Sequence, residues 1–172
     1  IRPGWFYHPA QDAQVRSPEN LESLYFTSVG RNSKLLLNVP PTRDGLLHDA
    51  DVRALRGMRE RLDRLFATDL AAQARVRWRV ESATAAVGEV ILPRATTVSV
   101  LDLREPIEEG QRVAAYRVDG FDGAAWHTLV EGSTIGYRRL DRITPREVQR
   151  LRVVISDAVE VPLPVALRVF SG

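Results

Sequence analysis

The sequence lacks cysteine, which excludes disulfide bridges and metal sites built on thiolates. It is also poor in lysine: Lys34 is the only lysine, and apart from the histidines all other basic residues are arginines. Arginine forks suit phosphate or nucleic-acid binding. Here, however, the arginines are interleaved with acidic residues, no dense basic block occurs, and the net charge is only +2. We therefore expect no nucleic-acid partner.

Long apolar runs and cofactor motifs are absent as well. No segment approaches the ~20 apolar residues of a membrane-spanning helix, so no membrane partner is expected. There is no glycine-rich phosphate loop, no nucleophile elbow and no closely spaced histidine pair, so we expect neither a cofactor nor a metal site. The chain begins with Ile1 and its only methionine is Met58, which favours the C-terminal portion of a longer polypeptide.

Helical patterns flank one apolar run in residues 1–70. Ser17 is a good N-cap for a helix predicted over Pro18–Val29. The run Leu35–Val39 does not alternate, which predicts a parallel strand buried on both faces. A second helix, with its cap at Asp49, is indicated by an apolar stripe of Val52, Leu55, Met58, Leu62, Leu65 and Phe66. One strand cannot form a sheet alone, so we expect residues 1–70 to be the end of a larger α/β domain.

The pattern changes near residue 75 to short runs rich in valine, isoleucine and aromatic residues. Turn pairs such as Asp119-Gly120 and Asp122-Gly123 separate several of these runs. Evenly spaced short strands with such turns predict an antiparallel β-sandwich over residues 75–172. The predicted strands are Arg75–Val80, Glu89–Leu92, Thr97–Leu101, Arg112–Val118, Ala125–Val130, Ser133–Leu140, Arg150–Ile155 and Val165–Phe170.

Candidate binding residues are aromatic or histidine. The aromatic residues 5–7 and His8 follow one another and cannot share one buried strand face, so either both faces are covered or some of these groups line a cavity. Of the three histidines, His8 is the best functional candidate, His48 suits a helix cap or the surface, and His127 suits a structural place in a strand. Trp126, like Trp5, offers a ring face that could stack on a sugar.

Three stretches resemble a known family. IRPGWFYHP (residues 1–9) and SVGRNSKLLLNVPPTRDGLLHDADV (residues 28–52) closely resemble the end of the catalytic domain of glycoside hydrolase family 29, the α-L-fucosidases. The match is closest to the branch that prefers α-1,3/1,4-linked fucose. QRVAAYRVDGFDGAAWHTLVEGSTIGYRRLDRI (residues 111–143) is similar to the β-sandwich of these proteins. The resemblance implies the C-terminal end of a (β/α)8-like barrel followed by an antiparallel, galactose-binding-like jelly roll.

The resemblance also implies a chemistry. The family is retaining: an aspartate attacks the anomeric carbon and a glutamate acts as acid, then base, with the two carboxyls ~5 Å apart. Both belong to barrel segments expected before Ile1, so the fragment alone should be inactive. Trp5 resembles the residue that lines the fucose pocket near its C5 methyl group, with Arg2 and His8 beside it. Asn38 would lie at the catalytic mouth, because the carboxyl ends of barrel strands carry the site.

The expected partners are therefore a fucosylated oligosaccharide and an N-terminal barrel of the same polypeptide, and the family favours a secreted or periplasmic location. Two alternatives stay open. The chain could be a non-catalytic carbohydrate-binding module that contacts sugar through Trp126 and His127. It could also belong to a barrel homologue that has lost its carboxylates and serves as a scaffold or lectin.

Overall fold

The helices come first in the chain. The computed structural model describes residues 1–171, and in it a short 3-10 helix spans Pro9–Gln14, α1 spans Pro18–Thr27 and α2 spans Asp49–Leu65. The α1 helix begins where the sequence predicts, because Ser17 Oγ accepts a hydrogen bond from the Asn20 N–H at 3.2 Å. No helix in residues 1–171 is both long and apolar enough to cross a membrane.

The start of α2 differs by one residue from the prediction. His48, not Asp49, is the N-cap, and its Nδ1 accepts a hydrogen bond from the Ala50 N–H at 3.2 Å. The helix then packs closely against α1, because a Cβ atom at Gly57 would lie only 2.6 Å from Cγ of Pro18. The glycine in the middle of this helix is therefore explained by the close approach of its neighbour.

Six strands follow, in one antiparallel sheet. They are β1 (Arg75–Val80), β2 (Ala86–Arg104), β3 (Val113–Phe121), β4 (Trp126–Gly132), β5 (Arg139–Ala158) and β6 (Ala166–Phe170), with a 3-10 turn at Ile107–Glu109. The order is β1-β2-β5-β3-β4, and β6 pairs with β2 on the edge that β1 also uses. The predicted antiparallel architecture is confirmed, and β1 has the bounds expected from the sequence.

Long bent strands replace the predicted pairs of short ones. The expected strands Glu89–Leu92 and Thr97–Leu101 are two halves of β2, and the ladder with β5 is interrupted by register shifts between Ile91 and Thr96 and again after Val98. Bulges of this kind bend a strand without ending it. Both halves of β2 contribute buried side chains to the same core, so the continuous sheet curves around one interior as a sandwich does.

Two predicted strands are not formed. Residues 133–138 make a turn in place of the first part of Ser133–Leu140, because Gly136 has φ +63° and Ile135 is buried beneath the turn. The segment Leu35–Val39 is irregular, and Leu36 is 91% exposed. A strand forms only where another strand pairs with it, and residues 1–171 contain no strand beside this segment.

The helices and the sheet share a core. Phe26 of α1 packs with Val100 of β2, Leu140 of β5 and Phe170 of β6. The backbone continues this contact, since the Leu140 N–H donates to the Gly30 carbonyl at 2.9 Å and residues 31 and 139 form an isolated antiparallel bridge. The α-helical part is thus joined to the sheet through both side chains and main chain.

A buried carboxylate holds the loops at one end of the sheet. Glu105 accepts hydrogen bonds from the backbone N–H groups of Arg112 (2.7 Å), Val113 (2.9 Å) and Gly136 (2.6 Å). Replacing Glu105 by glutamine removes one acceptor and brings two donors next to these N–H groups. We expect Glu105→Gln to lower the free energy of unfolding by about 2–3 kcal/mol, measured by urea denaturation. The control is Glu108→Gln, which changes a neighbouring exposed carboxylate. Equal urea-denaturation midpoints for the two variants would contradict the stabilising role of Glu105.

Candidate functional site

The aromatic segment near Ile1 is fixed to the irregular segment that contains Asn38. The Asn38 side chain donates a hydrogen bond from Nδ2 to the Trp5 carbonyl at 2.8 Å, and its own carbonyl accepts one from the Ile1 nitrogen at 2.8 Å. Trp5 is 67% exposed and Phe6 is 74% exposed. Two of the predicted site residues, Trp5 and Asn38, are therefore neighbours, and the indole projects from a backbone held on one side.

Arg2 lies beneath this segment and is fully buried. Its side chain has no exposed area, and neither has that of its partner Asp51. Nε and Nη2 of Arg2 bind the Asp51 carboxylate at 2.8–3.0 Å, and Nη1 binds Asp12 at 2.8 Å. The Asp51 hydrogen bond raises the pKa of the guanidinium. Because its N–H groups are directed at carboxylates of the protein itself, Arg2 is placed to position the segment and not to contact a ligand.

Asp12 connects this ion pair to α2. Its carboxylate lies 3.4 Å from Nε2 of His48. Nδ1 of His48 accepts the Ala50 N–H, so in a neutral ring the proton lies on Nε2, the nitrogen that faces Asp12. Tyr7 packs 6.0 Å from the His48 ring and under the Arg2 guanidinium at 4.9 Å. The segment that bears Trp5 is therefore held by α2 and by the 3-10 helix together.

His8 differs from these groups. It is exposed and precedes the 3-10 helix, and its side chain makes no capping hydrogen bond there. It lies on the chain between Tyr7, which is half-buried, and Pro9. The His8 ring is thus exposed and carries both a hydrogen-bond donor and an acceptor nitrogen, whereas the exposed indole of Trp5 carries only a donor.

The segments on either side of Asn38 along the chain carry exposed leucines. Leu36, Leu46 and Leu47 are exposed by 91%, 70% and 43%. The nearby carboxylates of Asp12 and Asp51 are committed to Arg2, so they cannot act as a glycosidase acid and nucleophile. No group of three or more potential metal ligands occurs in the described part of the chain. What this part presents to its surroundings is the exposed aromatic pair Trp5 and Phe6 together with the exposed His8.

The second predicted sugar contact lies on β4. His127 Nε2 is 2.7 Å from Oδ2 of Asp122, and Oδ1 of the same carboxylate accepts the N–H groups of Ala124 and Ala125. These backbone hydrogen bonds lower the pKa of Asp122 to about 2. The Trp126 ring is covered by the guanidinium of Arg152, 4.5 Å from the ring centroid. The histidine therefore serves the β3–β4 turn, and one face of the indole is already occupied.

The Arg2–Asp51 pair was not apparent from the sequence. Asp51 looked like a carboxylate in the first turn of α2, where the helix dipole favours negative charge. Its partner lies 49 residues away, and nothing in the local pattern of Asp12 or Asp51 indicates burial. The signal that could have revealed them is the position of an arginine beside an aromatic run, since a buried arginine requires acidic partners.

Known proteins match this chain over nearly its whole length. No protein-family model matches it. Alpha-L-fucosidase 1 of Arabidopsis thaliana is 30% identical over 95% of the chain, and the chain spans 38% of that protein's length. The crystal structure of SpGH29 superposes with a TM-score of 0.90 and 34% identity, covering 99% of this chain and 42% of its own. A Ruminococcus gnavus GH29 fucosidase in complex with fucose gives a TM-score of 0.89 and 26% identity, covering 100% and 40%.

The helices and the sheet are thus similar in structure to those of GH29 proteins. The chain belongs to the α-L-fucosidases of glycoside hydrolase family 29 and corresponds to their C-terminal part. It spans about two fifths of the length of the relatives it matches. The family that the motifs of residues 1–9 and 28–52 resemble is therefore confirmed.

The buried ion pair gives a test of the support beneath Trp5. Asp51→Asn leaves the Arg2 guanidinium buried opposite a neutral amide, so we expect the free energy of unfolding to fall by about 3–5 kcal/mol. Asp63→Asn breaks the exposed Arg59–Asp63 pair in the same helix and should cost no more than about 0.5 kcal/mol. Urea denaturation monitored by tryptophan fluorescence measures both, and similar losses in the two variants would contradict the role of burial.

Proposed function

We propose that this chain is the C-terminal part of a retaining exo-α-L-fucosidase that removes terminal α-1,3/1,4-linked L-fucose from oligosaccharides. One observation carries the proposal: SpGH29 superposes on 99% of the chain with a TM-score of 0.90 and 34% identity. The preference for branched, α-1,3/1,4-linked substrates rests on the residue pattern of 1–9 and 28–52. Family resemblance alone supports a secreted or periplasmic location.

In this proposal the covalent chemistry belongs to the rest of the protein. An aspartate attacks the anomeric carbon while a glutamic acid protonates the leaving oxygen. The same glutamate then deprotonates the water that releases fucose with its configuration retained. Within the described residues, the two carboxylates linked to the aromatic segment through Arg2, those of Asp12 and Asp51, are both bound to that arginine. We expect the 172-residue chain by itself to release no fucose.

The residues of this chain shape the fucose pocket. The Trp5 indole packs against the C5 methyl group of fucose, an apolar contact that distinguishes a 6-deoxy sugar from a hexose with a hydroxymethyl group. His8 donates to or accepts from a sugar hydroxyl. Asn38 acts through the backbone, because its hydrogen bond to the Trp5 carbonyl fixes the indole, and Arg2 supports the same segment from below.

The sheet has a supporting role in this proposal. It packs on α1 and α2, the elements that hold the aromatic segment, through Phe26 and the Gly30–Leu140 hydrogen bond. Against the alternative of an independent carbohydrate-binding module, one face of Trp126 is covered by Arg152 and His127 is engaged with Asp122. A scaffold or lectin without catalytic carboxylates remains the alternative that the experiment below excludes or supports.

The test uses the full-length protein with two substrates, a branched Lewis-type trisaccharide and a simple aryl α-L-fucoside. We expect L-fucose release from the trisaccharide, with much weaker release from the aryl fucoside. Trp5→Ala should lower kcat/KM on the trisaccharide by roughly 10- to 200-fold, the range for an apolar pocket contact. Tyr137→Ala, which removes another exposed aromatic residue on the sheet side, should leave kcat/KM unchanged.

The outcomes separate the enzyme from its alternatives. If neither substrate releases fucose but the protein still binds fucose, the result would support a lectin and contradict the enzyme proposal. Release from the aryl fucoside at least as fast as from the trisaccharide would overturn the proposed linkage preference while leaving the activity intact. Equal kcat/KM for Trp5→Ala and the wild-type protein would remove Trp5 from the pocket.

A further inference from the structure

The solvent face of the sheet carries an ordered arrangement of arginines that the proposed fucosidase function does not use. The register places Arg75 of β1, Ile91 of β2, Arg150 of β5, Phe121 of β3 and Trp126 of β4 side by side in one row. The residues next to them along β2 and β5, Val90 and Leu151, point into the core. The row therefore lies on the outside of the sheet and crosses five strands, roughly 19 Å at the usual strand spacing.

Aromatic rings hold the central arginine of this row in one orientation. The Arg150 guanidinium lies 4.2 Å from the Phe121 ring centroid and 5.4 Å from that of Trp126. One of its nitrogens is 3.2 Å from Glu89, a contact on the partly exposed side of the group. A stacked guanidinium keeps free N–H groups along its edge and loses little conformational freedom when it binds an anion.

A hollow of about 310 Å³ adjoins the row where β2 and β5 bend. Arg94, Gln149 and Arg150 contribute to its lining, and Ile91 connects it to Arg75 on the next strand. Arg94 and Arg75 are exposed and form no ion pair with any acid in residues 1–171. Two arginines, Arg94 and Arg150, thus line one concave site, and Arg75 lies beside it on the next strand. Of the three, only Arg150 has a carboxylate partner, Glu89.

We propose that this hollow and the adjoining row bind a carboxylate-bearing oligosaccharide, with a sugar carboxylate between Arg94 and Arg150 and the chain extending toward Arg75. A carboxylate fits the guanidinium fork in a bidentate manner, and Gln149 offers an amide for a neighbouring hydroxyl. A nucleic acid fits less well, because Glu89 and Glu131 interrupt the basic residues of the same face and would repel a continuous line of phosphates.

The inference stands apart from the fucose site and does not depend on it. The test is calorimetric titration of the full-length protein with tetragalacturonate, an acidic probe without fucose, at physiological ionic strength. Its neutral methyl ester should bind at least tenfold more weakly. Arg94→Gln and Arg75→Gln should each weaken tetragalacturonate binding at least threefold, and the double variant at least tenfold. Arg56→Gln, which removes an exposed arginine of α2 with no acidic partner, should leave the affinity unchanged.

Several results would overturn the proposal. Equal affinity for the acid and its ester would exclude carboxylate recognition, and unchanged affinity in the Arg94 and Arg75 variants would exclude this surface. Binding of oligothymidylate or of a heparin tetrasaccharide as tight as that of tetragalacturonate would indicate unselective attraction of polyanions. Loss of tetragalacturonate binding in Trp5→Ala would show that the probe binds in the fucose pocket and not on the sheet. If the protein releases no fucose but still binds tetragalacturonate through Arg94 and Arg75, the fucosidase proposal fails and this inference is unaffected.

Discussion

The ladder between β2 and β5 is the constraint on which the remaining structure depends. These two strands pair along nearly their whole lengths, and β1, β6 and β3 each attach to one of them. The α1 helix packs on the same pair through Val100 and Leu140. Because the register shifts bend the ladder, the side chains of both halves reach one interior, and a single pair of strands organises the sandwich.

A buried ion pair fixes the aromatic segment that bears Trp5. Arg2 and Asp51 are both removed from water, and the desolvation of two such charges offsets much of their mutual attraction, so this pair is a poor source of net stability. It does restrict geometry. A guanidinium that must satisfy Asp51 and Asp12 together has one orientation, and the backbone that leads to Trp5 follows from it. The backbone that carries Trp5 is thereby fixed in the absence of any ligand.

Local patterns predicted those parts whose structure is decided locally. The β1 strand alternates arginine with valine and tryptophan, and its predicted and observed bounds coincide. The end of α1 was set two residues late because Gly30 looked like the stop, whereas the Ser28 hydroxyl already bonds back to the Leu24 carbonyl. His48 replaced Asp49 as the cap of α2 by a similarly short-range contact that composition does not reveal.

Sequence patterns did not predict the features that depend on contacts between distant residues. Pro93 and its neighbours read as a turn, yet β5 continues alongside and β2 passes through as a bent strand. Leu35–Val39 has the composition of a central strand, but a strand forms only where partners exist. Trp126 was assigned a free sugar-stacking face, and the arginines that cover it lie on another strand more than twenty residues later. Such contacts arise from sheet order, which one sequence does not display.

The bridge between residues 31 and 139 has a consequence for motion. Together with the Gly30–Leu140 hydrogen bond, with Phe26 in the shared core and with Arg138, which spans Asp102 and Tyr25, it leaves no hinge between the helices and the sheet. A swing of one against the other would break main-chain hydrogen bonds and open apolar contacts, and so would amount to partial unfolding. A ligand bound at either part would therefore meet a single rigid unit, and its effect on the other part would be added rigidity without domain closure.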